Sequence, residues 1–261
     1  MDTPNPGRLT ARPGHIARFI VPERVSHWSY ALFFVTAFVT GLLMWIPSTR
    51  VWLAGDRYTL SQYHGYVGTA MVLLPLLLML VLAPRRLGRD LREVDRWSGE
   101  DRRWFGLALR GYTLRGRAMP PQGRFNAGQK LNVVLVAAMA VGFAATGGVL
   151  MHKQDMPAWL VSRALWLHAT LAVAAIALFA GHLAHVLITK HGRTYLRGMV
   201  DGSIPEDLAR ERHLRWWQAE TGWTASEATS PAPEPPAFAA ETGAAAEPGA
   251  AAEEPGDAGS V

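Results

Sequence analysis

The chain has 261 residues, of which 49% are hydrophobic, and it carries a formal net charge of +5 and no cysteine. The lack of cysteine excludes disulfides, iron–sulfur clusters held by cysteine thiolates and haem attached covalently through a CxxCH motif. The positive charge does not require a nucleic acid partner, because anionic membrane lipid attracts basic residues in the same way.

Four apolar segments follow one another along the chain. They cover residues 28–46, 63–83, 131–151 and 164–189, and none of them contains Asp, Glu, Lys or Arg. About 20 helical residues cross a hydrocarbon layer about 30 Å thick, so each segment is long enough to span a membrane. The third is rich in Ala and Gly, which let helices or a flat macrocycle approach closely. The sequence therefore predicts an all-α integral membrane four-helix bundle.

The regions between and around these segments predict an orientation. Basic residues are concentrated in residues 1–26, in the loop 84–130 and after the fourth segment. Positive charge marks the cytoplasmic side of a membrane, so we expect both termini and this loop to be cytoplasmic and the bundle, residues 27–220, to lie in a bacterial inner membrane. Residues 221–261 are rich in Ala, Pro and Glu, a composition that predicts a disordered tail.

The fourth segment contains His168 and His182, fourteen residues apart. Fourteen helical residues rise about 21 Å and return to within about 40° of the starting face, so the two imidazoles face one side at two depths. In an antiparallel bundle, His27 at the start of the first segment meets His182, and His64 at the start of the second meets His168. Imidazole is a usual axial ligand of haem iron. The pattern therefore predicts two b-type haems.

Not every histidine fits this pattern, and a membrane histidine can also serve only to hydrogen-bond a neighbouring helix. His185 competes with His182, but it lies seventeen residues after His168, about 25 Å along the helix and about 100° from the shared face. We therefore prefer His182 and expect His185 beside the haem ligand or a quinone. His191 lies beyond the fourth segment among basic residues, where we expect a solvated or lipid-headgroup position. Three more are expected to be ordinary surface residues: His15, His152 and His213.

A polar string, FNAGQK at residues 125–130, precedes the third segment. In one interpretation Asn126 caps a helix that begins nearby. In the other, the Asn, Gln and Lys side chains and a glycine amide bind a quinone carbonyl at the membrane face that also carries His27 and His182. The residues themselves leave both interpretations open.

Several motifs occur together in this order. They are ERVSHW at 23–28, FNAGQK at 125–130, LH at 167–168, GH at 181–182, LRGMVDG at 196–202 and HLRWW at 213–217. In this combination the chain resembles the gamma subunit of membrane-bound respiratory formate dehydrogenase. The resemblance covers about residues 15–220, and FNAGQK is its most specific part, since histidine spacing alone fits many di-haem cytochromes b.

The resemblance implies a role in anaerobic respiration. It implies an outer haem b between His64 and His168 and an inner haem b held by the other histidine pair, with Asn126 and Gly128 lining a pocket for menaquinone or ubiquinone. Formate would be oxidised in an alpha subunit containing molybdenum or tungsten, and an iron–sulfur beta subunit would deliver the electrons. The chain itself would contain no formate-oxidising centre.

Two alternatives remain from the sequence. The first is a di-haem cytochrome b that anchors a nickel–iron hydrogenase or a thiosulfate reductase, and the FNAGQK string argues against it. The second is a haem-free membrane anchor or a transporter. The absence of charged residues within the apolar segments weakens an ion-coupled transporter, because such proteins place ionisable side chains inside the membrane.

Overall fold

The structure is a computed structural model that describes residues 12–46, 57–113 and 119–223. The described residues up to Gly222 belong to one compact unit. The tail predicted to be disordered lies outside the described residues from residue 224 onward.

Helices dominate the described part of the chain. In chain order the elements are β1 (His15–Ala17), α1 (Val21–Trp45), α2 (Arg57–Leu82), α3 (Pro84–Asp95), α4 (Gly99–Leu109), α5 (Ala127–Met151), α6 (Ala158–Ile188), α7 (Lys190–Asp201), β2 (Ser203–Pro205), α8 (Glu206–Arg212) and α9 (Leu214–Thr221). Among these, α1, α2, α5 and α6 are long and apolar enough to cross a membrane. The predicted all-α membrane bundle of four helices is confirmed.

The spanning helices begin earlier than the apolar runs indicate. The first turns of α1, α2 and α5 contain polar residues, whereas α6 begins with a short apolar run, 158–161, that Arg163 separates from the longer one. Helix α1 begins at Val21 rather than at residue 28, and the Glu23 carboxylate accepts the backbone N–H of Ile20 (2.8 Å) at its start. Helix α5 begins at Ala127 rather than at residue 131. The predicted N-terminal segment, residues 1–26, therefore ends inside α1.

Consecutive spanning helices are antiparallel. Near the start of α1, the Ser26 hydroxyl donates to the carbonyl of Pro75, late in α2 (2.8 Å). The rings of Phe34 on α1 and Phe179 on α6 lie 5.0 Å apart. Helix α5 packs between α2 and α6. Large apolar side chains on the outer surface, such as Val141 at 70% exposure, match a lipid-facing surface.

Short elements gather at the end of the bundle where α1 and α5 begin and α2 and α6 end. We call this group, made of β1, α3, α4, α7, β2, α8 and α9, the cap. The predicted loop 84–130 supplies α3 and α4 to it. Helix α7 follows α6 directly, and there Gly192 is required because a Cβ would overlap the carbonyl oxygen of His185. Strands β1 and β2 pair antiparallel, with Ile16 opposite the fully buried Ile204.

Candidate functional site

Four histidines from three spanning helices form two pairs. His27 on α1 and His182 on α6 have ring centroids 6.5 Å apart, and we call them the first pair. His64 on α2 and His168 on α6 have ring centroids 6.1 Å apart and form the second pair. The structure thus brings together the same partners that the antiparallel order predicts. The first pair lies at the cap end, and the second lies toward the opposite end.

The spacing of both pairs fits a metal held between two imidazoles. A histidine nitrogen lies about 2 Å from a metal that it binds, so two rings on opposite sides of one iron have centroids about 6 Å apart. The rings are tilted by 58° in the first pair and by 69° in the second, so neither pair is stacked. The donor set, two neutral imidazoles in an apolar bundle, is that of a b-type haem site.

His185 stays outside these pairs. Its side chain is exposed, as is that of His182, but no ring contact joins it to His27 in the part of the chain that the structure describes. Its carbonyl oxygen instead accepts the Thr189 hydroxyl (2.8 Å) where α6 ends and α7 begins. His185 is therefore placed at the junction between the bundle and the cap.

Asn126 caps α5, as one of the two sequence interpretations predicts. Its side-chain oxygen accepts the backbone N–H of Gln129 (2.9 Å), and the Gln129 side chain accepts the backbone N–H of Asn126 (3.1 Å). The other Asn126 side-chain atom, the amide nitrogen, makes no hydrogen bond within the described ranges. Capping and a ligand contact are therefore compatible.

Other residues of the string have structural partners. Gly128 lies against Trp104 of α4, so close that a Cβ would meet the ring at 2.7 Å. The Lys130 ammonium pairs with Asp101 (3.2 Å) and donates to the carbonyl of Arg96 (2.8 Å). Burial opposes ionisation of Asp101, but hydrogen bonds from Ser98 and this ion pair outweigh it and lower the pKa of Asp101. Lys130 thus fastens α5 to the cap.

A second network of charged side chains surrounds Arg124, the residue directly before the FNAGQK string. Arg124 binds Asp90 and Glu23 (both 2.7 Å), and Arg86 binds the same Glu23 oxygen (3.0 Å). Arg18 donates to the carbonyl of Arg124 (2.6 Å). Burial lowers the pKa of Arg18 to about 10, and burial raises the pKa of Asp90 to about 6 against the opposing charge of Arg124. The cap end of α5 is thereby fixed.

The prediction that His213 is a surface residue is wrong. Its ring is fully buried, Nε2 accepts the hydroxyl of Tyr195 (2.8 Å), and Nδ1 donates to the carbonyl of Gly123 (2.8 Å). Burial moves the pKa of His213 well below its ordinary value. The basic residues around His213 in the sequence indicate a solvated ring. In the structure, α9 packs this ring against the loop before α5. By contrast, His15 is half-buried and His152 is exposed.

A family model described as prokaryotic cytochrome b561 matches residues 18–202. The chain belongs to this family. Membership in the prokaryotic cytochrome b561 family identifies the chain as a membrane cytochrome that binds haem b. The matched range contains all four paired histidines and ends where α7 ends and β2 begins.

Individual relatives carry more specific names. A Haemophilus influenzae protein named formate dehydrogenase, cytochrome b556 subunit is 24% identical over 78% of this chain and 83% of its own length. The Escherichia coli K12 protein named formate dehydrogenase, cytochrome b556(fdo) subunit is 26% identical over 82% of this chain and 97% of its own length. The nitrate-inducible cytochrome b556(Fdn) subunit of the same organism is 22% identical over 75% of this chain.

The sequence interpretation missed two groups of residues that the structure places around the site. One is the buried network of Arg18, Arg124 and Glu23, which joins residues about 100 positions apart and follows no periodicity. The other is a pair of threonines, Thr40 and Thr146, whose hydroxyls contact the rings of the second pair. A hydroxyl in an otherwise apolar span was the only available signal for these threonines.

Proposed function

We propose that this chain is the cytochrome b subunit of a membrane-bound formate dehydrogenase and passes electrons from an iron–sulfur partner subunit to membrane quinone. It holds two haem b groups, one at each histidine pair. It lies in a bacterial inner membrane with both termini and the cap on the cytoplasmic side. The first pair is then the inner site, and the second pair is the outer site.

A single observation carries this proposal: α6 supplies one histidine to each of two pairs at two depths of the bundle. A protein that only anchors a partner needs no imidazole inside the membrane, where ionisable side chains are costly. Two sites on one helix, about 21 Å apart along its axis, make a path across most of a hydrocarbon layer about 30 Å thick. Such a path suits electron transfer between the two membrane faces.

The names of the relatives support the choice of complex. Three of them are formate dehydrogenase cytochrome subunits, and the FNAGQK string supports the same assignment. The chain has no cysteine, so an iron–sulfur relay belongs to another subunit, and the formate-oxidising centre with molybdenum or tungsten belongs to a third. The basic residues of the cap support a cytoplasmic position for the cap, where anionic lipid attracts them.

The roles of the chain's own residues follow from their contacts. His27, His64, His168 and His182 hold the two irons in an orientation fixed by three helices, and haem supplies one-electron redox chemistry when bound. At the inner site, the amide nitrogen of Asn126, which makes no hydrogen bond among the described residues, donates one to a quinone carbonyl. Gly128 and Trp104 form an adjoining wall, and His185 stands at the α6–α7 junction beside this region.

The haem content of the purified chain tests the proposal directly. Pyridine haemochrome analysis should return a haem-to-protein ratio near two, because each pair holds one haem. His27→Ala and His64→Ala should each lower the ratio to near one. His152→Ala is the matched control, since this exposed histidine belongs to neither pair, and it should leave the ratio unchanged.

The partner assignment needs a second measurement. The chain, tagged and extracted in mild detergent from cells that express its native partners, should co-purify with formate-oxidising subunits, and formate should reduce its haems. Co-purification with a hydrogenase or thiosulfate reductase would replace the partner and leave the di-haem function standing. A ratio of zero would remove the di-haem function itself.

A further inference from the structure

The His64 ring of the second pair rests on a threonine and a glycine of the neighbouring helix α1. The Thr40 hydroxyl oxygen lies 3.0 Å from His64 Nδ1. The same hydroxyl donates to the carbonyl of Thr36 in its own helix (2.8 Å). A Cβ placed on the next residue, Gly41, would lie 3.2 Å from His64 Cε1, so this glycine lets the ring edge approach the helix.

The opposite ring has the same kind of support from α5. The Thr146 hydroxyl oxygen lies 2.8 Å from His168 Nδ1 and donates to the carbonyl of Gly142 (2.7 Å). The following residue is again a glycine, Gly147, and a Cβ placed on it would lie 3.8 Å from His168 Cε1. Two unrelated helices thus present a Thr-Gly dipeptide to the Nδ1–Cε1 edge of one ring each.

These contacts favour one position for the proton of each ring. A threonine hydroxyl has one proton, and in both cases that proton is given to a backbone carbonyl, which can only accept. With the hydroxyl proton on that carbonyl, the threonine oxygen accepts from the histidine and Nδ1–H donates. For His64, the backbone carbonyl of Ala37 offers a second acceptor for the same ring. Nδ1 is then protonated in His64 and His168, and the lone pair for a metal is on Nε2 of each ring.

The first pair lacks such support. Neither the ring of His27 nor that of His182 takes part in a hydrogen bond in the part of the chain that the structure describes. Basic side chains lie at this end of the bundle, among them Arg24 of α1, whose guanidinium donates to the carbonyl of Val200 in α7. The two sites therefore differ in a property that changes the electron donation of their histidines.

Resting on the two-haem function proposed above, we propose that Thr40 and Thr146 are positioning residues that give the haem at the second pair a lower reduction potential than the haem at the first. A ligating histidine whose Nδ1–H donates a hydrogen bond becomes a more basic ligand and favours ferric iron. Positive charge near the first pair favours the reduced form there. Electron transfer from a haem held by the second pair to one held by the first would then be downhill.

Thr40→Val and Thr146→Val test this in the purified full-length, haem-loaded chain. Valine keeps the shape of threonine and removes the hydroxyl. In a potentiometric titration followed by visible absorption, each variant should retain two haems and shift the lower midpoint potential upward, while the higher midpoint stays in place. The double variant should shift it further, because the two rings bind one iron.

Controls separate the hydroxyl effect from a general loss of packing. Thr36→Val on α1 and Thr170→Val on α6 remove hydroxyls that, among the described residues, bond only to carbonyls of their own helices, and both midpoints should stay unchanged. Thr40→Ser keeps a hydroxyl and should retain the lower midpoint. If Thr40→Val releases a haem and Thr40→Ser does not, the hydroxyl still positions the ring. The shift in midpoint potential is then measured in Thr146→Val alone.

The outcomes distinguish this proposal from the function on which it rests. His64→Ala identifies the second-pair haem, because the midpoint that disappears belongs to it. If the unaltered chain holds two haems and the valine variants leave both midpoints in place, the positioning role is overturned and the di-haem function stands. If the unaltered chain binds no haem at the second pair, both are overturned.

Discussion

Asn126 has two polar atoms on its side chain, and the structure uses them differently. The oxygen caps α5 through the N–H of Gln129, whereas the amide nitrogen is unoccupied within the described residues. A cap of this kind stabilises a helix by about 1 kcal/mol. Substitution by alanine therefore removes two possible functions at once, so an experiment on this residue needs a variant that separates them.

We predict that Asn126→Ser slows reoxidation of the haems by quinone and leaves haem content unchanged. Serine caps helices about as well as asparagine, but it lacks the amide donor that would bind a quinone carbonyl. Stopped-flow reoxidation after reduction by formate through the partner subunits measures the effect. Gln129→Ala provides a capping control. If only Asn126→Ala and Gln129→Ala slow the reaction, then the residue acts as a cap alone.

The two neighbouring histidines on α6 give a second prediction at this scale. His182→Ala should remove one haem and abolish quinone reduction, because the first pair loses a ligand. His185→Ala should keep both haems and change at most the affinity for quinone, since its ring contacts neither His27 nor the second pair. Haem content and quinone turnover of the two variants measure this. Loss of haem from His185→Ala alone would reverse the ligand assignment.

Among the elements, α8 and α9 depend on one buried ring. His213 joins α9 to Tyr195 of α7 and to the loop before α5 through its two nitrogens. Burial, together with the nearby charges of Arg18 and Arg124, lowers its pKa well below the ordinary value of 6.5. Protonation would place a cation beside the buried Arg18 guanidinium and would remove the acceptor for the Tyr195 hydroxyl.

We therefore predict that α8 and α9 detach from the rest of the cap on acidification. The unfolded segment binds a proton more tightly than the folded one, so the stabilisation is complete above pH 6.5 and decreases as the pH falls below it, by at most about 1.4 kcal/mol per pH unit. Hydrogen exchange of residues 206–221, corrected for the intrinsic pH dependence, measures the change. His213→Gln should remove this dependence, and His152→Gln should preserve it.

The spanning helices were predictable because their signal is local. An uncharged apolar run of about 20 residues leaves few alternatives to a membrane helix. The helix starts were placed too late, because Glu23 at the start of α1 and Asn126 before α5 are polar residues that belong to caps and first turns rather than to apolar runs. Helices α3 and α4 are not predicted for a related reason, since they are short and rich in charged residues and give no uncharged apolar run, although Leu87, Leu91 and Val94 of α3 repeat at helical spacing.

For the whole molecule, the partners of the paired histidines followed from antiparallel order and the fourteen-residue spacing on α6. The side chains that contact those histidines could not be predicted in the same way. The contact between Thr40 and His64 joins two helices, and the buried position of His213 depends on α7, α9 and the loop before α5 together. Such contacts depend on the rotation of each helix about its axis and on side-chain packing, which no sequence periodicity specifies.

The arrangement on α6 also determines which kinds of damage the protein can tolerate. The separation of the two irons in the proposed arrangement is set by the rise of one continuous helix between His168 and His182, about 21 Å, and not by how tightly the other helices pack. A substitution that loosens the bundle should therefore reduce the fraction of molecules that hold both haems, while every fully loaded molecule transfers electrons over the same distance. Stability and transfer rate are thus separable properties of this chain.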